Sequence, residues 1–275
     1  MVTMPDATET DLGTVQRTLF FPLLARARET VRRRPLLRDP TAVELVHAID
    51  FDYARYSAPL AGRVVVLRTL TFDWWVRQFL AGYPGGTVVE LGTGLNTRFE
   101  RTDNGSVRWI DLDLPDTVAL RRRYFADTGR RRLVAASLLD EGWLDEVAAS
   151  PGPYFFVAEG VLTYLTEAEA TGALARIAAR FPGARLAFDT STARSLANEH
   201  KMAAKRDIAR WQWACDDPRT LEPLGLRLLD TATVTRPVAG VRAELPLRTR
   251  LLLPLADPVL GSGFTKLSLF AAGPV

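Results

Sequence analysis

Apolar positions recur at helical spacing through residues 14–80 and then, from Thr87 onward, in short runs separated by further helical stretches. In the first part the 3.6-residue period predicts a helix from Thr14 to Arg33, a short one at TAVELVHA (41–48) and a long one at GRVVVLRTLTFDWWVRQFL (62–80). The proline-bearing RRRPLLRDP (32–40) separates the first two, since proline cannot continue a helix. In the second part TVVELG (87–92), VRWIDLD (107–113), RLVAAS (132–137), YFFVAEG (154–160) and RLAFDT (185–190) read as buried strands. Between them lie helical segments such as PDTVALRRRYF (115–125) and EAEATGALARIAARF (167–181). That alternation predicts an α/β fold with a doubly wound, mainly parallel sheet, which binds ligands at the carboxyl ends of its strands. TARSLANEHKMAAKRDIARWQWA (192–214) predicts a helical insertion, and a proline-spaced, β-prone tail runs to FTKLSLFAAG (264–273).

No linker divides the chain, so it reads as a single domain over 1–275. Residues 1–82 form a helical cap, 83–192 a cofactor-binding core, 193–225 an insertion placed as a lid, and 226–275 the completion of the sheet. Composition then narrows the chemistry. A formal charge of +3 over 275 residues does not imply nucleic-acid binding. One cysteine, Cys215, excludes an internal disulfide, and two distant histidines, His47 and His200, suggest no metal pair. No apolar stretch reaches the roughly 20 residues a membrane helix needs, and the polar N-terminus is unlike a signal sequence. A cytoplasmic, metal-free protein with a small-molecule substrate is expected; the oligomeric state is left open.

The candidate chemistry sits in VVELGTGLNTRFER (88–101). Glycines at the end of a first parallel strand let a ligand approach the backbone closely. A nicotinamide-binding loop calls for a third glycine three residues after Gly94, where this chain has Thr97, and a Tyr-x-x-x-Lys relay is missing. The pattern Glu90, Gly92, Gly94 suits S-adenosylmethionine, whose methionine tail carries no phosphate; a tight turn without a ligand is the plainer reading. Asp111 and Asp113 follow about 20 residues on, where an acid can take ribose hydroxyls. Strand alternation sends both to one side, so Asp111 is free to cap the helix at Pro115 instead.

LGTGLNTRF, WIDLDLP, SLLDEGW, AEGVLTYL and RFPGARLAFDT, in this order and spacing, resemble the leucine carboxyl methyltransferase superfamily, within it the tetracenomycin-type polyketide carboxyl O-methyltransferases. RARETVRRRPLLRDPTAVELV and WQWACDDPRTLEPLG are similar to the same bacterial branch. The resemblance implies a class I methyltransferase fold of seven strands, the last antiparallel, using S-adenosylmethionine to methylate a secondary metabolite. It assigns Gly92 and Gly94 to the methionine end, Asp113 to the ribose, Ser137 and Leu138 to the adenine, and Arg28, Arg63 and Arg68 to the cofactor carboxylate. Asp140, close by, could equally cap the helix before EGWLDEV. The family more usually has cysteine at Thr93 and aspartate at Asn96, so this chain has lost a charge that the resemblance puts beside the cofactor. Glu159, at a strand's carboxyl end, is expected to hold the methionine ammonium, because a buried carboxylate without a partner is costly. Tyr164 and His200 are the catalytic candidates, Tyr164 looking into the transfer cavity. His200, with Lys201, Lys205 and Arg206, reads either as facing an anionic acceptor or as a solvated basic face. Trp74 and Trp75 read as core, and Trp211 or Trp213 as lining the acceptor pocket. A carboxylate acceptor is favoured over a phenol, which would need a base that this chain scarcely offers.

Overall fold

The computed structural model describes residues 16–53, 59–203, 209–257 and 265–273. Five parallel strands lie where the apolar runs predict them: β1 (Thr87–Leu91), β2 (Arg108–Asp113), β3 (Arg131–Ala135), β4 (Tyr154–Ala158) and β5 (Arg185–Ser191). β6 (Leu226–Ala232) and β7 (Thr265–Ala272) complete a seven-stranded sheet of order β3-β2-β1-β4-β5-β7-β6, in which β7 is antiparallel to both neighbours. Strand order reverses between β1 and β4, which places the switch point, and the expected ligand crevice, beside the glycine loop.

Side-chain alternation divides the core between two faces. Val88, Trp109, Phe155 and Val157 point toward the long helix α3 (Pro59–Gly82). Val89, Ile110 and Phe156 point the other way, toward α6 (Gly142–Ala148) and α7 (Glu167–Arg180). Helix α7 starts at a full capping box, Thr166 and Glu169 bonding reciprocally across its first turn. A third cluster joins α1 (Phe20–Thr30) and α2 (Pro40–Ala48) to Leu95 of the glycine loop and to Val118 and Leu120 of α5 (Pro115–Arg121). The cap is thus packed onto the loop that follows β1 rather than standing apart from it.

Three expectations are corrected. The first helix ends at Thr30, not Arg33, and its predicted start at Thr14 lies outside the described residues. Among the described residues the insertion is helical over α8 (Ala193–Ala203); residues 209–217 form an irregular segment whose backbone is tied to the turn after β4 and to the end of β5, Gln212 N donating to Thr163 O and Cys215 N to Ser191 O, each at 2.8 Å. The tail between β6 and β7 carries two short helices, Ala239–Glu244 and Leu247–Leu252, that its prolines had concealed. No helix among the described residues is long and apolar enough to cross a membrane.

Candidate active site

Gly92 and Gly94 follow β1 with φ of 61° and 52°, a backbone region that side chains other than glycine's disfavour. A Cβ on Gly92 would also lie 2.5 Å from Val161 Cγ2. The loop folds back on protein partners: Thr93 N donates to Leu112 O, Asn96 N to Thr93 O, Thr97 N to Asn96 Oδ1, and Gly94 N to Asp113 Oδ2 at 2.6 Å. Thr93 Oγ1 turns inward to Asp111. With four loop amides spent in this way, little is left to cradle a pyrophosphate, which disfavours a dinucleotide on geometry as Thr97 does on sequence.

Parallel register lines up the carboxyl ends of β1, β2 and β4, Leu91 pairing with Leu112 and with Ala158. Just beyond them, Gly92, Gly94, Asp113, Ser137, Glu159, Gly160 and Tyr164 are half-buried, although the strands they follow are enclosed. Six of the predicted site residues share this edge, and Arg68 of α3 joins it through Glu159. Burial pushes the Asp113 carboxyl above its ordinary range against the pull of the Gly94 and Leu114 amides. Ser137 closes a turn with Asp140, which accepts from the Ser137 amide; Asp140 is not the cap of α6, whose N-cap residue is Glu141. The Leu138 side chain belongs to the core. Arg28 and Arg63 are exposed on α1 and α3.

Beneath the edge lies a chain of buried ion pairs that the sequence did not disclose. Arg98, wholly enclosed on α4 (Arg98–Thr102), reaches Asp73, Glu90 and Glu159 at once. Arg101 bridges Asp73 and Asp39, and Arg26 also meets Asp39. Arg68 binds Glu159 and Asp189, each at 2.9 Å, and the other Asp189 oxygen accepts from Gly160 N. Burial opposes ionisation of Glu159, yet Arg68 and Arg98 outweigh it and hold its carboxyl below the usual glutamate range. Glu90 has one such partner, Arg98, and burial pushes it up to about 7.

Several site expectations change accordingly. Glu159 is not a carboxylate waiting for a cation: Arg68, Arg98 and Thr69 already engage it, so its burial needs no ligand to explain it. Asn96 faces Glu90 and Arg101 within the network. Asp111 does not cap α5; it is buried between Arg121 and Arg131, which keep it ionised against desolvation. His200 Nε2 lies 2.7 Å from Trp211 O, pinning α8 to the segment 209–217, while Lys205 and Arg206, and the side chain of Lys201, lie outside the described residues. Trp213 and Trp75 are core residues, whereas Trp211 and Trp74 are half-buried. The one sequence signal for the network was TRFER, whose Arg98 and Arg101 share a helix face at i, i+3.

The leucine carboxyl methyltransferase profile matches residues 20–178, from α1 through α7. The chain belongs to that family. It is 36% identical over 211 residues to the tetracenomycin polyketide synthesis O-methyltransferase TcmP of Streptomyces glaucescens, covering 76% of this chain and 78% of that one. It is 29% identical over 240 residues to the S-adenosyl-L-methionine-dependent methyltransferase dpfgK of Gibberella zeae, covering 79% and 80%. Among solved structures, a candidate methyltransferase from Thermobifida fusca superimposes with a TM-score of 0.62 at 17% identity, covering 99% of this chain and all of that one. Magnesium protoporphyrin IX methyltransferase from Synechocystis, solved with bound S-adenosylhomocysteine, gives 0.50 at 12% identity over 91% and 99%. The chain is therefore an S-adenosylmethionine-dependent methyltransferase of the class I fold. The site's chemistry fits that cofactor: a rigid carboxylate at the end of β2 suits a ribose diol, and a glycine loop with its amides turned inward suits a ligand without phosphate.

Proposed function

We propose that this methyltransferase esterifies a carboxylate on a small, polyketide-like metabolite. Asp113 would hold the ribose hydroxyls, Gly92 and Gly94 would give clearance to the methionine end, and Ser137 with the Leu138 backbone would border the adenine. Arg68, set between Glu159 and Asp189, would anchor the polar tail from below, and Arg28 and Arg63 would meet it from the cap. Bound there, S-adenosylmethionine supplies a methyl group on a sulfonium, ready for in-line displacement. The chain's own contribution is alignment and exclusion of water from the crevice. Tyr164, whose backbone carbonyl is held by Gln212 at 2.6 Å, would hydrogen-bond an acceptor oxygen through its hydroxyl.

The observation that carries this reading is that the carboxylates around the edge, and the histidine near it, are already engaged. His200 is tied to the Trp211 carbonyl, Glu159 and Asp189 are paired with arginine, and each oxygen of Asp113 accepts a backbone amide. A phenol with a pKa near 10 needs a base to become a nucleophile, whereas a carboxylic acid near 4 arrives ionised. The TcmP likeness supports a polyketide acceptor. The test is the pH dependence of kcat/KM with an aromatic polyketide acid in the wild type and in His200→Ala. The expected profile is flat from about pH 6 to pH 9, and the variant keeps kcat within about threefold. A rate rising tenfold per pH unit and collapsing in His200→Ala would make His200 a general base and the acceptor a hydroxyl.

A further inference from the structure

The carbonyl side of the glycine loop is held by two buried arginines from different elements. Arg121, the last residue of α5, is fully enclosed; its Nη1 donates to Gly94 O at 2.9 Å and to Asn96 O at 2.7 Å. Its Nη2 lies 3.1 Å from Asp111 Oδ2, and its guanidinium sits 4.4 Å from the centroid of the Phe125 ring. Arg26 of α1 takes the carbonyl between them, donating from Nη2 to Leu95 O at 2.8 Å. Three successive loop carbonyls thus face a guanidinium. A buried cation is weak support for stability, and Arg121 Nε and Nη2 have no hydrogen-bond partner among the described residues. One guanidinium nitrogen serves both carbonyls while the other faces the carboxylate, a spread that a lysine's single ammonium on its shorter reach reproduces only with a shift of the loop.

Gly94 joins this clamp to the cofactor side. Its carbonyl accepts from Arg121, while its amide donates to Asp113 Oδ2. The other Asp113 oxygen accepts from Leu114 N at 2.7 Å, so both oxygens are directed by the backbone and each keeps a lone pair for a diol. We propose that Arg121 is a positioning residue for the cofactor: by fixing Gly94 from behind, it aims the Asp113 carboxylate and so sets affinity for the adenosyl group. The proposal rests on the assignment of Asp113 to the ribose under Proposed function, and not on the identity of the acceptor.

The experiment is calorimetric titration of S-adenosylhomocysteine into the wild type, Arg121→Lys, Arg121→Met, Asp113→Ala and the double variant Arg121→Lys/Asp113→Ala, with melting curves confirming folding. Arg121→Lys should weaken binding about tenfold and Arg121→Met more, with the cofactor KM rising in step and kcat at saturation within about threefold. In the Asp113→Ala background, Arg121→Lys should change affinity less than about twofold, because the two act in series. If the methionine variant does not fold, the lysine variant and the double-mutant cycle still decide. A folded Arg121→Lys that binds like wild type, or weakens binding equally in both backgrounds, overturns the role of Arg121 while leaving Asp113 in place. Wild-type affinity in Asp113→Ala overturns both.

Discussion

Glu90 occupies the fourth position of β1, between Asp111 on one neighbouring strand and Val157 on the other, where water is excluded. Its Oε1 accepts from Asn96 Nδ2 at 2.7 Å and from Arg98, while Oε2 has no hydrogen-bond partner among the described residues. A protonated carboxyl is the form such a site prefers. Because the folded chain holds that proton up to about 7 and an ordinary glutamate releases it near 4.5, stability from this group is complete below that window. It is lost as pH rises through it. Glu90→Gln, which makes the neutral form permanent, should raise the urea midpoint at about pH 8 and leave it unchanged at about pH 5. A lower midpoint at the alkaline pH would mean that the pair with Arg98 outweighs desolvation. The same geometry accounts for asparagine at position 96, where an aspartate would set a second carboxylate against Glu90.

At the scale of elements, the strand-to-loop turn after β1 is tightly constrained. Gly92 has a positive φ and lies against Val161, which follows β4. Alanine there would meet both backbone strain and a contact that Val161, its χ1 restricted by branching at Cβ, cannot easily relieve. Gly92→Ala should therefore cost about 2 kcal/mol or more, read as a lowered melting temperature, and should weaken S-adenosylhomocysteine binding as well. Unchanged melting would show that the loop can re-form around a side chain. The five parallel strands and the glycine turn were legible because short continuous apolar runs and glycines act locally. The irregular course of 209–217 was not, since Gln212 and Cys215 are tied by backbone hydrogen bonds to residues 163 and 191.

Over the whole molecule, cap, sheet and crevice are joined by one buried electrostatic layer that runs from Arg26 and Asp39 through Arg101, Asp73 and Arg98 to Glu159, Arg68 and Asp189. Its members span residues 26 to 189, and apart from the i, i+3 pair Arg98 and Arg101 no local pattern marks them, because an arginine destined for burial looks in sequence like one destined for solvent. The candidate cofactor edge was readable, since Gly92, Gly94, Asp113 and Glu159 each end a strand or follow one. The reason for Glu159's burial was not, because its partners Arg68 and Arg98 come from a distant helix and from the turn after the loop. What this layer leaves at the surface of the crevice is a set of carboxylates already spoken for, which is the ground on which an acceptor that arrives ionised is proposed. The decisive measurement is the chemical form of the product. Purified protein is incubated with methyl-labelled S-adenosylmethionine and an aromatic polyketide that bears both a carboxyl and phenolic hydroxyls, and the product is then treated with mild alkali. Release of the label as methanol is the predicted result, as an ester requires. A label that stays on the product after alkali, as in an aryl ether, would contradict the account.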